Sequence, residues 1–223
     1  MPNHMSSLLS STIFRKVAMA LSGLFLMVFL LQHFIINITS VFSANIFNQL
    51  SHFMGTNALV QFLLQPILIG GVIFHFVTGF VLEFQNRSAR GTKYVVYKGS
   101  ANAGWVSRNM IFSGATVLAF LGLHFYDFWV PEINHKYIEF LPEDPNRYHE
   151  ELLHKFEDLA RVIIYVISFI FLSLHLLHGF ASAFQSMGLN NKYTPALKSF
   201  GKIYAIGIPL GFAFIAIFHF LNH

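Results

Sequence analysis

Five stretches of this 223-residue chain run for about 20 residues or more with few or no charges, at roughly 17–37, 59–82, 109–130, 162–184 and 203–221. At 1.5 Å rise per residue each matches the ~30 Å hydrocarbon core of a bilayer as a helix, whereas transmembrane barrel strands are near ten residues long and strictly alternating. Hydrophobic residues make up 55% of the chain and charged ones 11%, so little is left for a soluble domain. The expected fold is an all-α integral membrane protein, a bundle of five transmembrane helices at about 13–38, 58–84, 104–130, 156–185 and 198–221, forming one domain over residues 1–223. The first span is too long without interruption for the core of a signal peptide.

Short cytoplasmic loops retain Lys and Arg, and this orients the bundle. Arg15 and Lys16 precede the first span, Arg87, Arg90, Lys93, Lys98 and Arg108 lie between the second and third, and Lys192, Lys198 and Lys202 link the fourth and fifth. These three segments share one side. The other side has an uncharged segment, about 38–58, and a mainly acidic one containing Glu132, Glu139, Glu143, Asp144, Glu150 and Glu151. The amino terminus is therefore expected in the cytoplasm. There is no cysteine, which excludes disulfides, thiolate-held iron–sulfur clusters and c-type haem attachment. Any metal centre must use other ligands.

Four spans each carry a candidate histidine, His33, His75, His124 and His175. An imidazole inside lipid is costly and normally faces a cavity, partner or cofactor. Spans one and three run outward and carry theirs late, so His33 and His124 form an outer layer. Spans two and four run inward and do the same, so His75 and His175 form an inner layer, about 13 Å away by helical rise. Two imidazole pairs at two heights suit two stacked bis-histidine haems and electron transfer between them. Zinc fits less well, because it would want His and carboxylate ligands converging at one point.

Gly71 and Gly79 lie at i−4 and i+4 from His75, and Gly179 at i+4 from His175, where they are expected to clear room for a flat macrocycle. Ordinary small-residue packing is the alternative. The outer pair, flanked by Phe29, Asn37, Phe120 and Phe128, has no such feature. His178 competes with His175 from i+3, and Gly179 favours His175. His52, Asp127 and His219 are the candidates for a quinone site at the outer side. Asp127, three residues after His124, either orients an imidazole or shuttles protons at an outer-side pocket, or faces headgroups; His219 is a spare ligand, a quinone contact or interfacial, and without a facing partner is read as interfacial. His4, His135, His149, His154 and His223 fall outside the hydrocarbon. No internal repeat stands out.

The segments FRKVAMALSGLFLMVFLLQHFIIN, LLQPILIGGVIFHFVTGF and LSLHLLHGFASAFQSMGLN resemble the first, second and fourth helices of a known family. It is the cytochrome b subunit, or membrane anchor, of succinate dehydrogenase and fumarate reductase, in its single-chain, five-helix, di-haem b558 branch. The resemblance covers essentially the whole chain, and the H-x-x-x-G element beginning at His175 is similar to the family's fourth-helix ligand motif. It implies two haem b groups, a proximal one on His75 and His175 and a distal one on His33 and His124. It further implies a flavoprotein (FAD) subunit and an iron–sulfur subunit docked on the cytoplasmic side, with the dicarboxylate site on a partner subunit. Electrons would reach a membrane quinone, menaquinone, near the outer side of a bacterial cytoplasmic membrane. A dimer of the complex and contacts with membrane lipid belong to the same expectation.

Arg15, Arg87 and Arg108 are candidate partners of haem propionates by charge and depth. Two features depart from the family. Some fumarate reductases of this group have a glutamate two residues before the fourth-helix ligand, where this chain has Ser173, and the segment 38–60 lacks the carboxylate that related enzymes use in quinone chemistry. The rival readings are a cytochrome b subunit of another quinone-linked dehydrogenase, such as a hydrogenase or formate dehydrogenase, and a haem-free transporter or scaffold.

Overall fold

The computed structural model describes residues 12–88, 110–188 and 191–222. Arg90, Lys93, Lys98, Arg108, His4, His223 and the expected start of the third span at 104 lie outside the described residues. Among the described residues there are seven helices and no strand. Five of them, α1 (Thr12–Phe42), α3 (Val60–Ser88), α4 (Met110–Ile138), α6 (Leu159–Ser186) and α7 (Thr194–Leu221), are long and apolar enough to cross a membrane. The chain is a multi-pass membrane protein.

Two shorter helices, α2 (Ala44–Thr56) and α5 (Arg147–Phe156), occupy segments whose polarity reads as loop. α2 starts where Ser43 turns extended at the end of α1 and its hydroxyl accepts from the Ile46 amide at 3.3 Å. α5 buries Leu152 and Phe156, turns Glu150 outward and keeps the Arg147 side chain, 11% exposed, in an ion pair with Glu132. Phe156 therefore ends α5 and does not open the fourth span, as the sequence led us to expect. That span begins at Leu159, capped by the Asp158 carboxylate, which accepts from the Ala160 amide at 3.0 Å.

The third span runs on to Ile138, past the expected end at 130. Pro131 has no N–H and its ring collides with the carbonyl four residues back. The helix widens into a π turn over Phe125–Trp129, where the Val130 amide bonds to the Phe125 carbonyl, and Pro131 then opens a fresh α-helical turn. A second π turn, Asn134–Ile138, ends the helix, and two residues later Phe140 takes the left-handed conformation (φ 51°). α6 stops at Gly188, whose φ of +71° favours a residue without Cβ.

α1, α3, α4 and α6 stand at the corners of a four-helix bundle. α1 packs on α3 and α6, α4 packs on α6, α3 and α4 touch lightly, and neither diagonal pair, α1 with α4 or α3 with α6, packs closely. α7 lies outside against α6 and α1, and its contact with α6 is the most extensive in the molecule. Gly201 and Gly211 of α7 admit the rings of Phe180 and Phe34, which a Cβ at either position would overlap. The Tyr204 hydroxyl donates to the Met27 carbonyl at 2.5 Å and ties α7 to α1. α3 has no buried residue and turns Phe62, Phe74, Val77 and Phe84 outward, as a lipid-facing helix does. α1 and α4 begin at one face of the bundle, called here the N-terminal face; α2 and α5 lie at the opposite, far face.

Candidate functional site

The diagonals of the bundle are bridged by histidines. His75 of α3 faces His175 of α6, with ring centroids 6.3 Å apart and planes at 75°. Further along, His33 of α1 faces His124 of α4 at 5.7 Å and 87°. The ring that meets His75 is that of His175, and among the described residues no ring contact of His178 is seen. Each pair brings one imidazole from each of two diagonal helices into edge contact at a single level, the residue type and number that would hold a haem iron. Among the described residues no cluster of three or more His, Asp or Glu side chains offers a site for a bare ion.

The near pair, toward the N-terminal face, is hydrogen-bonded on the ring nitrogen Nδ1. Ser22 Oγ of α1 lies 3.0 Å from His75 Nδ1, and Ser113 Oγ of α4 lies 3.3 Å from His175 Nδ1. These contacts place His75 at the level of Ser22 and His175 at the level of Ser113. His33 and His124 each follow their serine by eleven residues, so the layers are about 16 Å apart along either helix, more than the 13 Å expected. Sequence reasoning missed both serines, although their shared offset from a histidine was the signal that could have found them.

Gly71 and Gly79 serve close helix packing, the alternative to clearing room for a macrocycle. A Cβ at Gly71 would stand 2.8 Å from the Phe25 ring, and one at Gly79 would stand 3.2 Å from the Met19 methyl. They let α1 pack closely on α3, the small-residue role common between membrane helices. Gly179 has the Met27 and Met110 methyl groups at 3.8 Å, ordinary contact.

The far pair is held chiefly by aromatic rings. His33 stacks on Phe29 at 5.5 Å and meets Phe212 at 5.7 Å, while His124 has Phe120 at 5.7 Å and Phe128 at 5.2 Å. Asn37 donates to the His33 carbonyl at 2.8 Å and stands 3.4 Å from both ring nitrogens, favouring neither. His124 Nδ1 is buried without a hydrogen-bond partner. One turn beyond, the π turn aims Asp127 into the protein. It is 1% exposed, ion-paired with Arg161 and accepting from the Tyr165 hydroxyl at 2.7 Å. Both carboxylate oxygens are thus engaged, and Asp127 does not face headgroups.

His219 is also not interfacial. It is 3% exposed, its Nε2 lies 2.8 Å from Ser40 Oγ, and its ring meets His149 at 5.6 Å, so His149 too has a structural place. His52, the remaining far-face candidate, has its ring 6.1 Å from Tyr148 and its Nδ1 buried without a hydrogen-bond partner. Burial, followed by the nearby Glu132 charge, pushes the Tyr148 hydroxyl up to about 12, so it is a proton-bearing donor at neutral pH. Beside it Glu132 pairs with both Lys136 and Arg147, Arg147 also reaches Glu151 at 2.6 Å, and Lys136 donates to the Gly55 carbonyl. This network ties α2, α4 and α5 together at the far face. Exposed Arg87 is bound to half-buried Glu83 at 2.6 Å, a solvent-screened surface pair.

Compared with known protein families, curated proteins and solved structures, the chain matches none of them.

Proposed function

We propose that the chain is a di-haem cytochrome b, the quinone-reactive membrane anchor of a succinate dehydrogenase or fumarate reductase complex. The observation that carries this reading is the pairing of four intramembrane imidazoles across both diagonals of one bundle, at 6.3 and 5.7 Å. His75 and His175 would hold the proximal haem iron, and His33 and His124 the distal one. Haem supplies reversible one-electron chemistry whose potential is set by axial ligands, hydrogen bonds and burial.

The chain's own residues hold the rings at two heights, line the far pair with Phe29, Phe120, Phe128 and Phe212, and present polar groups at the far face. There His52 and the Tyr148 hydroxyl are the groups we assign to a quinone, menaquinone, in preference to the saturated Asp127. The basic residues Arg15, Lys16, Lys192, Lys198 and Lys202 flank the spans at the N-terminal face. By the retention of such charges in the cytoplasm, that face would lie inside a bacterial cell and carry the flavoprotein and iron–sulfur subunits.

The test is a reduced-minus-oxidised spectrum of the purified protein together with the identity of its co-isolated subunits. Low-spin b-type bands reducible by succinate, with a flavoprotein and an iron–sulfur protein alongside, are expected. Absence of b-type bands contradicts the reading, and hydrogenase or formate dehydrogenase subunits in their place would move the chain to that class.

A further inference from the structure

We infer that the bundle is one helical hairpin used twice, and that Ser22 and Ser113 are its equivalent positioning residues, fixing the ring tautomer of the near imidazole pair. Met19-x-x-Ser22-Gly23 in α1 recurs as Met110-x-x-Ser113-Gly114 in α4, each followed at the same interval by a histidine, His33 or His124. The returning helices answer with the same H-x-x-x-G element, His75 to Gly79 in α3 and His175 to Gly179 in α6.

The contacts repeat with the residues. A Cβ at Gly23 would stand 3.3 Å from His75 Cε1, and one at Gly114 would stand 3.4 Å from His175 Cε1. The Met19 methyl lies over Gly79 and the Met110 methyl over Gly179. The α1–α3 hairpin therefore maps onto the α4–α6 hairpin by rotation about an axis along the bundle, the parallel type of repeat found in membrane proteins. Each histidine pair is made of symmetry mates, so anything held between two such rings sits on that axis. α7 packs on one side only and breaks the symmetry, which is why α1 and α6 pack closely where α3 and α4 touch lightly.

The serines decide the tautomer by counting protons. A hydroxyl has one, and each serine donates it to the carbonyl three residues back, Met19 or Met110, at 2.9 Å. Only lone pairs remain to meet the imidazoles at 3.0 and 3.3 Å. With the serine protons placed on those carbonyls, His75 and His175 carry their own protons on Nδ1 and donate them to Ser22 and Ser113. That leaves Nε2 bare on both rings, the form a metal requires, and an acceptor on Nδ1–H raises the basicity of the ligating nitrogen. Among the described residues no hydroxyl meets a ring nitrogen of the far pair, where Asn37 stands 3.4 Å from both nitrogens of His33 and His124 Nδ1 has no partner.

This inference rests on the proposed haem ligation, and its test separates the two. Ser22→Ala, Ser113→Ala and the corresponding Thr variants are made in the intact complex, and both b-type centres are titrated potentiometrically and by low-temperature EPR. Removing an acceptor from Nδ1–H weakens ferric stabilisation. Each Ala variant is thus expected to keep two haems and to raise the near centre's ferrous-to-ferric ratio at fixed poise by up to about tenfold, about 59 mV for one electron. The far centre keeps its potential, and the near centre's EPR signal moves.

Thr, which retains a hydroxyl able to bond the preceding turn, restores both values. If an Ala variant fails to assemble, the Thr variant decides: native potentials support the assignment and displaced ones overturn it. Unchanged potentials in a haem-replete Ala variant, or equal shifts in both centres, overturn the inference while leaving the functional reading intact. A native chain without b-type absorption removes both.

Discussion

The two histidine layers use the same ring pairing and are supported in opposite ways. Near the N-terminal face, hydroxyls from the neighbouring helices hold each ring by one nitrogen, and the two halves of the site are built alike. Toward the far face the rings are wedged among Phe29, Phe120, Phe128 and Phe212, and the surroundings of His33 and His124 differ. What stands behind the far layer is ionic: the buried Asp127, its partner Arg161 and the Tyr165 hydroxyl, one helical turn past His124. A duplicated hairpin can thus keep equivalent rings at both levels while only one level keeps equivalent support. The level whose support differs lies on the side of the bundle that carries α2, α5 and the π turns.

The comparison breaks most visibly at Asp127. Removing one member of a buried ion pair strands the other and costs about 3–5 kcal/mol. Asp127→Ala is therefore expected to lower the thermal unfolding temperature of the detergent-solubilised protein sharply and to disturb the far layer first. Asp127→Asn, which still accepts from Tyr165, should cost less. Loss of both layers together, or no loss, would show that the far layer does not depend on this pair.

A smaller effect distinguishes the helices that carry the layers. Gly71→Ala pushes a methyl group into the Phe25 ring at the α1–α3 contact, and overpacking of this kind costs about 1–3 kcal/mol. At Gly122 of α4 nothing lies within 4 Å of the added carbon, so Gly122→Ala is expected to be neutral or to stabilise by up to about 1 kcal/mol through helix propensity. Equal losses in the two variants, measured by the same melts, would contradict the packing roles assigned here.

The spans were legible in the sequence because lipid demands length and tolerates few charges, and both demands are written residue by residue. The neighbours His33 with His124 and His75 with His175 were legible because alternating helix direction converts position in a span into depth. α2 and α5 were hidden by their polarity: they lie at a face, and their few buried side chains, such as Phe47, Leu152 and Phe156, give no membrane signal. The fates of Asp127 and His219 depend on partners far along the chain, Arg161 with Tyr165 and Ser40 with His149, which no local pattern announces. The repeat escaped notice because each hairpin shares only a few positions with the other, embedded in apolar sequence that varies freely against lipid. Gly71 was misread because spacing places a glycine on a face but does not say which side chain, here Phe25, will fill the space.

The central claim, two independent imidazole pairs each able to hold one iron, is tested most directly by haem stoichiometry in the native chain, His75→Ala and His33→Ala. The account predicts two b-type haems per chain, then one in each variant, with the near centre lost from the first and the far centre from the second. Unchanged haem content in both variants would contradict it.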